Sequence, residues 1–164
     1  MLYVGRISKE KDLDVIAQAW PKLQRPGLAL VFVGEGPYRT ELERLLPDAV
    51  FTGVLAGRDL ATAYASSDVF LFPSTTDTFG NVIVEALAAG VPCVVSDQGG
   101  PKDLIAPGKT GLITRALDVD DFASAVVKLI DPMVREPMRS AARAAVESRD
   151  WMEAGRRFWD SANS

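Results

Sequence analysis

The amino-acid sequence predicts an α/β fold, a Rossmann-like three-layer α/β/α domain with a parallel sheet of about six strands. The first observation is a series of short apolar runs without polar alternation, which is typical of strands buried on both faces of a parallel sheet. The second is that helical patterns separate these runs, so that strands and helices alternate. The third is that glycine and proline turns mark the boundaries between elements.

The first half of the chain supplies three strands and three helices. The first strand begins almost at the first residue, and a polar loop over 7–12 separates it from a helix with apolar positions at helical spacing. Pro26 and Gly27 then break the chain. The predicted strands are 2–5, 28–33 and 50–53, and the predicted helices are 13–23, 38–46 and 59–66.

The second half repeats the alternation and ends in helices. We expect Trp151, Phe158 and Trp159, near the chain end, to pack partly on this domain and partly on another domain. The predicted strands are 69–72, 92–96 and 112–113, and the predicted helices are 80–89, 102–105, 118–130, 134–147 and 150–160.

The length of 164 residues predicts a single domain over 1–164 with C-terminal helices over 134–164. A natural domain rarely begins directly with a strand, so we expect the chain to be cut from a longer protein. No apolar run approaches the ~20 residues of a membrane span, and no secretory signal precedes the first strand. A reducing cytoplasm is compatible with a lone cysteine, Cys93, in a predicted core strand.

The net charge and the residue composition exclude several classes of partner and of catalysis. A net charge of -4 and a pI of about 4.9 argue against nucleic acid or an anionic membrane as the main partner, but not against a small anionic ligand. The chain has no histidine, which excludes Ser-His-Asp and Cys-His catalysis and histidine-ligated metal within it. Chemistry must therefore come from carboxylates, arginine, lysine, hydroxyls or backbone amides.

The loop after the fourth predicted strand is the first candidate site. In parallel sheets, ligands bind where the carboxyl ends of strands meet the following loops and helix starts. The stretch 68–103 is a strand–loop–helix–strand unit that puts Asp77, Thr78, Phe79 and Gly80 at such a place. Free amides and the positive dipole end at residues 79–82 favour an anion, although an ordinary helix entry fits the same pattern.

Asp77 and Glu85 are the candidate acidic pair. Eight residues along a helix would span ~12 Å, so they do not form a close dyad like that of retaining glycosidases, whose carboxylates stand ~5 Å apart. For Asp77 the alternative is helix capping. Glu85 lies on a largely apolar helix, where a carboxylate needs a partner or an opening.

Two other loops carry candidate residues. Arg6 and Lys11 flank the loop after the first strand, and they matter only if that strand lies beside the fourth; otherwise they are solvated surface charges. Gly34 and Gly36 form a G-x-G after the second strand, but Arg39 stands where the third glycine of a dinucleotide fingerprint would be. A plain tight turn is at least as well supported there.

Together these pieces resemble the C-terminal domain of a GT-B fold glycosyltransferase of family 4, the glycosyl transferases group 1. The resemblance covers nearly the whole chain and rests on the order and spacing of its blocks. Its central block matches the E-x7-E motif of the family, with Asp77 in place of the first glutamate and Glu85 as the second. The blocks are YVGRISKEKDLD, VGEGP, FTG, SSDVFLFPSTTDTFGNVIVEALAAGVPCVVSDQGGPKDLI and GKTGLI.

The resemblance implies a site for a nucleotide-diphosphate-sugar, UDP- or GDP-linked, with transfer that retains anomeric configuration and needs no metal or other cofactor. By this analogy Arg6 and Lys11 bind the diphosphate, and Asp77 holds the donor sugar together with the Phe79 and Gly80 backbone. Glu85 accepts hydrogen bonds from the ribose. Other positions implied are the amides of Gly80, Asn81 and Val82 for phosphate, and Gly5, Gly34, Val54 and Leu55 around the nucleotide.

The resemblance also implies that this chain is half of an enzyme. The N-terminal acceptor domain would be absent, so we expect the chain alone to bind donor weakly and to transfer no sugar. Cytoplasmic location is expected, with peripheral attachment at the inner membrane through the missing domain left open. The competing hypotheses are a catalytically silent nucleotide-sugar binding module and another GT-B activity, such as a sugar-nucleotide epimerase.

Overall fold

A computed structural model describes residues 1–23 and 26–147 of the chain. Its centre is a six-stranded parallel sheet with the order β3-β2-β1-β4-β5-β6. The strands are Leu2–Val4 (β1), Val31–Val33 (β2), Val50–Gly53 (β3), Phe70–Phe72 (β4), Cys93–Ser96 (β5) and Gly111–Thr114 (β6).

Helices lie between the strands, as the alternating pattern predicts. Two short 3-10 turns, Lys9–Lys11 and Pro101–Leu104, occupy the predicted polar loop over 7–12 and the predicted helix over 102–105. The α-helices are Leu13–Leu23 (α1), Arg39–Leu45 (α2), Gly57–Ala65 (α3), Asn81–Ala88 (α4), Val119–Ile130 (α5) and Pro132–Glu147 (α6).

Several predicted boundaries were wrong. The second strand begins at Val31 rather than at 28. The break predicted at Asp131 and Pro132 is confined to Asp131, because α5 ends at Ile130 and α6 begins at Pro132 rather than at 134. Proline is tolerated at the first helical position, where its missing N–H has no partner to lose. The predicted helix over 150–160, with Trp151, Phe158 and Trp159, lies outside the described residues.

The middle of the sheet forms the core. All residues of β1, β4 and β5 are buried, which agrees with strands covered on both faces. Tyr3 on β1 packs between two aromatic rings, with centroid distances of 5.6 Å to Phe32 and 6.1 Å to Phe72. Cys93 is buried as predicted, and burial raises the pKa of its thiol.

The strand order reverses between β1 and β4, which is where an open α/β sheet forms its ligand crevice. β1 pairs with β2 on one side and with β4 on the other, so the loops that follow β1 and β4 leave the sheet side by side. The condition under which Arg6 and Lys11 matter is therefore met. In the described part of the chain, no helix has the length and apolar character needed to cross a membrane.

Candidate functional site at the carboxyl edge of the sheet

Lys11 and Asp77 meet across the crevice. The Lys11 Nζ atom lies 2.8 Å from Asp77 Oδ1, and the two side chains are 20% and 22% exposed. The other carboxylate oxygen, Asp77 Oδ2, is buried and has no hydrogen-bond partner among the described residues. Gly80 is the N-cap residue of α4, and no side chain caps that helix, so the capping interpretation of Asp77 was wrong.

Hydrogen bonds from neighbouring residues join the same two loops. Asp12 Oδ2 accepts from both the backbone N–H and the hydroxyl of Thr75, at 2.8 Å each. The Thr76 hydroxyl donates to the Glu10 carbonyl at 2.9 Å. Glu10 and Asp12 flank Lys11, and Thr75 and Thr76 directly precede Asp77; these contacts were not predicted from the sequence.

Two glycines of the loop after β5 lie against the backbone of the Asp77 loop, at the carboxyl edge of the sheet. The Gly100 N–H donates to the Asp77 carbonyl at 2.8 Å. A Cβ atom at Gly100 would lie 1.9 Å from the Thr78 carbonyl oxygen, so only glycine permits this approach. Gly99 has a φ of +78°, and its own Cβ would lie 2.8 Å from the Asp77 carbonyl oxygen.

The start of α4 lies at the same carboxyl edge of the sheet. Gly80 has a φ of +87°, which favours glycine, and the helix begins at Asn81. The first amides of a helix have no partner within it, so those of Asn81 and Val82 are available at this end. Phe79 precedes them, and its side chain is 54% exposed.

Glu85 lies on α4 with its side chain exposed. Its Oε2 atom accepts a hydrogen bond of 2.8 Å from the hydroxyl of Tyr64, a buried residue of α3. Burial, followed by this bond to Glu85, raises the pKa of Tyr64. Glu85 therefore has a hydrogen-bond partner and access to solvent, as a carboxylate on a largely apolar helix requires. The sequence places Tyr64 inward, and the tendency of buried tyrosine hydroxyls to find partners was the available signal.

Arg6 is exposed and lies on the loop after β1. Its carbonyl accepts a 2.8 Å hydrogen bond from the Tyr3 hydroxyl. Within the described residues, its guanidinium has no hydrogen bond or ion pair in the protein. Burial, and then the charge of Asp77, raises the pKa of Tyr3 beneath this loop.

The loops after β2 and β3 lie at the same carboxyl edge of the sheet, on the opposite side of β1 from the Asp77 loop. Gly34 has a φ of +137°, and a Cβ there would lie 2.0 Å from the carbonyl oxygen of Gly5. The Gly34 N–H donates to the Gly53 carbonyl at 2.8 Å. Val54 is 73% exposed, and Leu55 beside it is half-buried. Gly5, Gly34, Val54 and Leu55 thus lie at the carboxyl ends of three neighbouring strands.

Arg39 supports the tight-turn interpretation of the G-x-G segment. Its guanidinium pairs with Glu35 and with Glu43, and the Glu43 contact is 2.7 Å long. It also lies over the ring of Phe51, with Cζ 5.9 Å from the centroid. These contacts tie α2 to β3, so the third glycine of a dinucleotide fingerprint is replaced here by a structural arginine.

Comparison with known proteins gives a consistent result. Residues 1–132 match the model of the family described as Glycosyl transferases group 1. A GDP-mannose-dependent alpha-mannosyltransferase of Mycolicibacterium smegmatis is 44% identical over 91% of this chain and 39% of its own length. Sulfoquinovosyl transferase of Arabidopsis thaliana is 41% identical over 94% of this chain and 31% of its own length.

A solved structure shows the same fold. The Anabaena protein HepE, crystallised with UDP, superposes with a TM-score of 0.86 at 23% identity, covering 99% of this chain and 48% of that one. The expected Rossmann-like fold of a GT-B half is confirmed, and this chain spans less than half the length of the relatives that it matches. The matched family model and these relatives show that the chain belongs to the group 1 glycosyltransferases.

Proposed function

We propose that this chain is the donor-binding half of a retaining glycosyltransferase that moves a hexosyl group from a nucleotide-diphosphate-sugar to a glycan, lipid or small-molecule acceptor. The observation that carries the proposal is the Lys11–Asp77 pair, which lies in the crevice between β1 and β4 and leaves one buried carboxylate oxygen without a partner. A buried polar atom without a partner is costly unless a ligand supplies one.

The diphosphate is assigned to the cationic side of the crevice. A lysine ammonium has three N–H donors, so Lys11 can keep its bond to Asp77 and still donate to phosphate oxygens. Arg6 adds a guanidinium that the described residues leave unpaired. The amides of Gly80, Asn81 and Val82 add a helix start. These groups would stabilise charge that develops on the leaving nucleotide, and we propose that they do so without a divalent metal.

The donor sugar is assigned to Asp77 and to the backbone of Phe79 and Gly80. A sugar hydroxyl that donates to Asp77 Oδ2 would supply the partner that the described residues do not give this carboxylate oxygen. Asp77 is one methylene shorter than the glutamate of the family motif. Its bond to Lys11 links the sugar position directly to the diphosphate position.

The nucleoside is assigned to Glu85 and to the loops after β2 and β3. The exposed carboxylate of Glu85 is oriented by Tyr64 and can accept from ribose hydroxyls. The base would lie near Gly5, Gly34, Val54 and Leu55. GDP-mannose is the first donor to test, because a relative with 44% identity is named as GDP-mannose-dependent. UDP-sugars come second, since HepE, at 23% identity, was crystallised with UDP.

The acceptor would be held by a second domain that precedes this one in the complete protein. We expect the chain alone to bind donor weakly and to transfer nothing. Transfer then belongs to the two domains together, in the cytoplasm or at the inner face of the membrane.

Isothermal titration of the chain with GDP, UDP and ADP, and then with GDP-mannose and UDP-glucose, tests this proposal. We expect selective binding of one diphosphate and about tenfold weaker binding in Arg6→Ala, because a charge-assisted contact is lost. Lys128→Ala is the matched control, since it removes one exposed positive charge on α5, away from the crevice.

Absence of binding at millimolar ligand is followed by the same titration on the full-length protein, and absence there contradicts the proposal. Binding without transfer at full length would favour a silent nucleotide-sugar binding module instead.

A further inference from the structure

Asp12 has an unusual backbone and an unusual set of contacts for a loop aspartate. Its φ is 54° and its ψ is 32°, in the left-handed region that aspartate tolerates better than most side chains. Its N–H donates to the Lys9 carbonyl, and its own carbonyl accepts from Val15, so it joins the 3-10 turn to α1. This backbone arrangement leaves the carboxylate free to reach out of its own loop.

The Asp12 carboxylate reaches across the crevice to the loop after β4. Both hydrogen bonds from Thr75, one from the backbone N–H and one from the hydroxyl, converge on the single atom Oδ2 at 2.8 Å. The two residues are 63 positions apart in the chain. Asp12 directly follows Lys11, and Thr75 precedes Asp77 by two residues, so this contact joins the two loops next to the ion pair.

The Lys11–Asp77 ion pair alone does little to fix the backbones of the two loops relative to each other. This pair joins two side chains, so it constrains the main chain of the two loops only through rotatable bonds, and side-chain entropy opposes it. A carboxylate that accepts from a backbone N–H fixes the main chain itself. The Asp12–Thr75 contact therefore constrains the main chain beside the ion pair more directly than the ion pair itself does.

We propose that Asp12 is a positioning residue: by binding the Thr75 backbone and hydroxyl, it holds the Asp77 loop in the geometry that receives the nucleotide-diphosphate-sugar. This inference rests on the proposed function and deepens it. Asp12 acts through Lys11 and Asp77 and contacts no donor itself.

The test compares variants that separate the carboxylate from the backbone shape. Asp12→Gly keeps the left-handed backbone without strain and removes the carboxylate. Asp12→Asn keeps one amide oxygen, which suffices because both bonds end on one atom. Thr75→Val removes only the hydroxyl. Asp131→Gly is the matched control, because Asp131 Oδ1 accepts from a backbone N–H, that of Met133, at the start of α6.

Two quantities are measured on each variant: GDP-mannose and UDP-glucose affinity by titration, and amide hydrogen exchange at Thr75 by NMR. In Asp12→Gly we expect about tenfold weaker binding of the donor and about tenfold faster exchange, with the thermal midpoint changed little. Asp12→Asn should restore both values, and Asp131→Gly should leave both at the wild-type level.

A double variant completes the test. If Asp12 and Thr75 act as one contact, Asp12→Gly combined with Thr75→Val should bind donor no more weakly than Asp12→Gly alone. A merely structural role would lower the thermal midpoint while the folded protein kept its affinity.

Two outcomes overturn the inference in different ways. If the wild type binds donor and Asp12→Gly binds it within a factor of about two, the positioning role is wrong and the proposed function stands. If neither this chain nor the full-length protein binds a nucleotide sugar, the proposed function fails, and this inference fails with it.

Discussion

Two acidic residues eight positions apart are held in opposite ways. Asp77, on the loop after β4, is mostly shielded from solvent and pairs with the ammonium of Lys11. Glu85, on the exposed side of α4, accepts from the neutral hydroxyl of Tyr64. One carboxylate is compensated by a charge from another loop, and the other is only oriented by a buried phenol.

The difference indicates distinct uses for the two groups. A carboxylate with a bound cation is electrostatically coupled to whatever anion that cation also meets, so Asp77 belongs to the charged part of the site. A solvated carboxylate with one oriented oxygen can accept from neutral hydroxyls, because each hydroxyl replaces a hydrogen bond that water makes to the free carboxylate. The two regions should therefore respond differently to substitution.

The largest expected effect comes from Gly100→Ala. The new Cβ atom would lie 1.9 Å from the Thr78 carbonyl oxygen, and the surrounding backbone must shift. We expect donor affinity to fall about a hundredfold through misplacement of the Asp77 loop, with the free energy of unfolding lowered by about 1–3 kcal/mol. Titration calorimetry and urea denaturation measure the two effects.

Gly108→Ala provides the control for Gly100→Ala. Gly108 has a φ of +74° and nothing near its would-be Cβ, so alanine there introduces backbone strain without a clash. It should cost about 1 kcal/mol of stability and leave donor affinity unchanged. Equal losses of affinity in the two variants would show that the Asp77 loop has no special position.

An intermediate effect is expected from Lys11→Met. Removing the ammonium leaves both Asp77 oxygens shielded without a charged partner, so the free energy of unfolding should fall by about 1–2 kcal/mol. The loss should shrink when Asp77→Asn is added, because an amide tolerates the missing charge better. Urea denaturation of the two single variants and the double variant measures this coupling.

Lys22→Met is the matched substitution on the surface. Lys22 pairs with Asp120, but these side chains are 50% and 85% exposed, so its removal should change stability little. If Lys11→Met were equally neutral, the contrast drawn between the two carboxylates would lose its electrostatic basis.

The smallest effect is expected from Tyr64→Phe. The buried hydroxyl is removed, and the exposed Glu85 carboxylate can bind water instead, so the stability cost at pH 7 should be about 0.5–1 kcal/mol. Affinity for the nucleoside diphosphate should fall a few-fold. Tyr38→Phe removes a hydroxyl that binds Asp14 instead and should leave that affinity unchanged.

Alkaline pH sharpens the Tyr64→Phe result. The folded-state pKa of Tyr64 is raised, so above pH 10 the unfolded chain loses this proton while the folded chain keeps it. Stability then falls as pH rises, by up to about 1.4 kcal/mol per pH unit from this residue. Tyr64→Phe should show a shallower decline in urea denaturation between pH 9 and 11, and an unchanged slope would contradict the burial of the hydroxyl.

The fold and the placement of the candidate residues could be predicted because they rest on local patterns. Apolar runs predicted the strands, and the segments that follow two of these strands carry Arg6, Lys11, Asp77 and Glu85; the roles of these residues rest on the family resemblance. The start of the second strand at Val31 was not predicted, because the residues before it have the same apolar character.

The contacts that orient these residues could not be predicted. The Asp12–Thr75 and Tyr64–Glu85 bonds join residues 63 and 21 positions apart, and nothing local in the sequence specifies such partners. Helix capping by Asp77 was an equally good local hypothesis, but Gly80 is the N-cap residue of α4 and no side chain caps that helix.

The reversal of strand order between β1 and β4 has a consequence for assembly. β1, β2 and β3 form one half of the sheet, and β4, β5 and β6 form the other; the register between β1 and β4 pairs Leu2 with Phe70. A donor bound by Lys11 and Asp77 would touch both halves at this seam. It would bind only the assembled sheet, so the free energy of unfolding of the domain would rise with the logarithm of the donor concentration once that concentration exceeds the Kd.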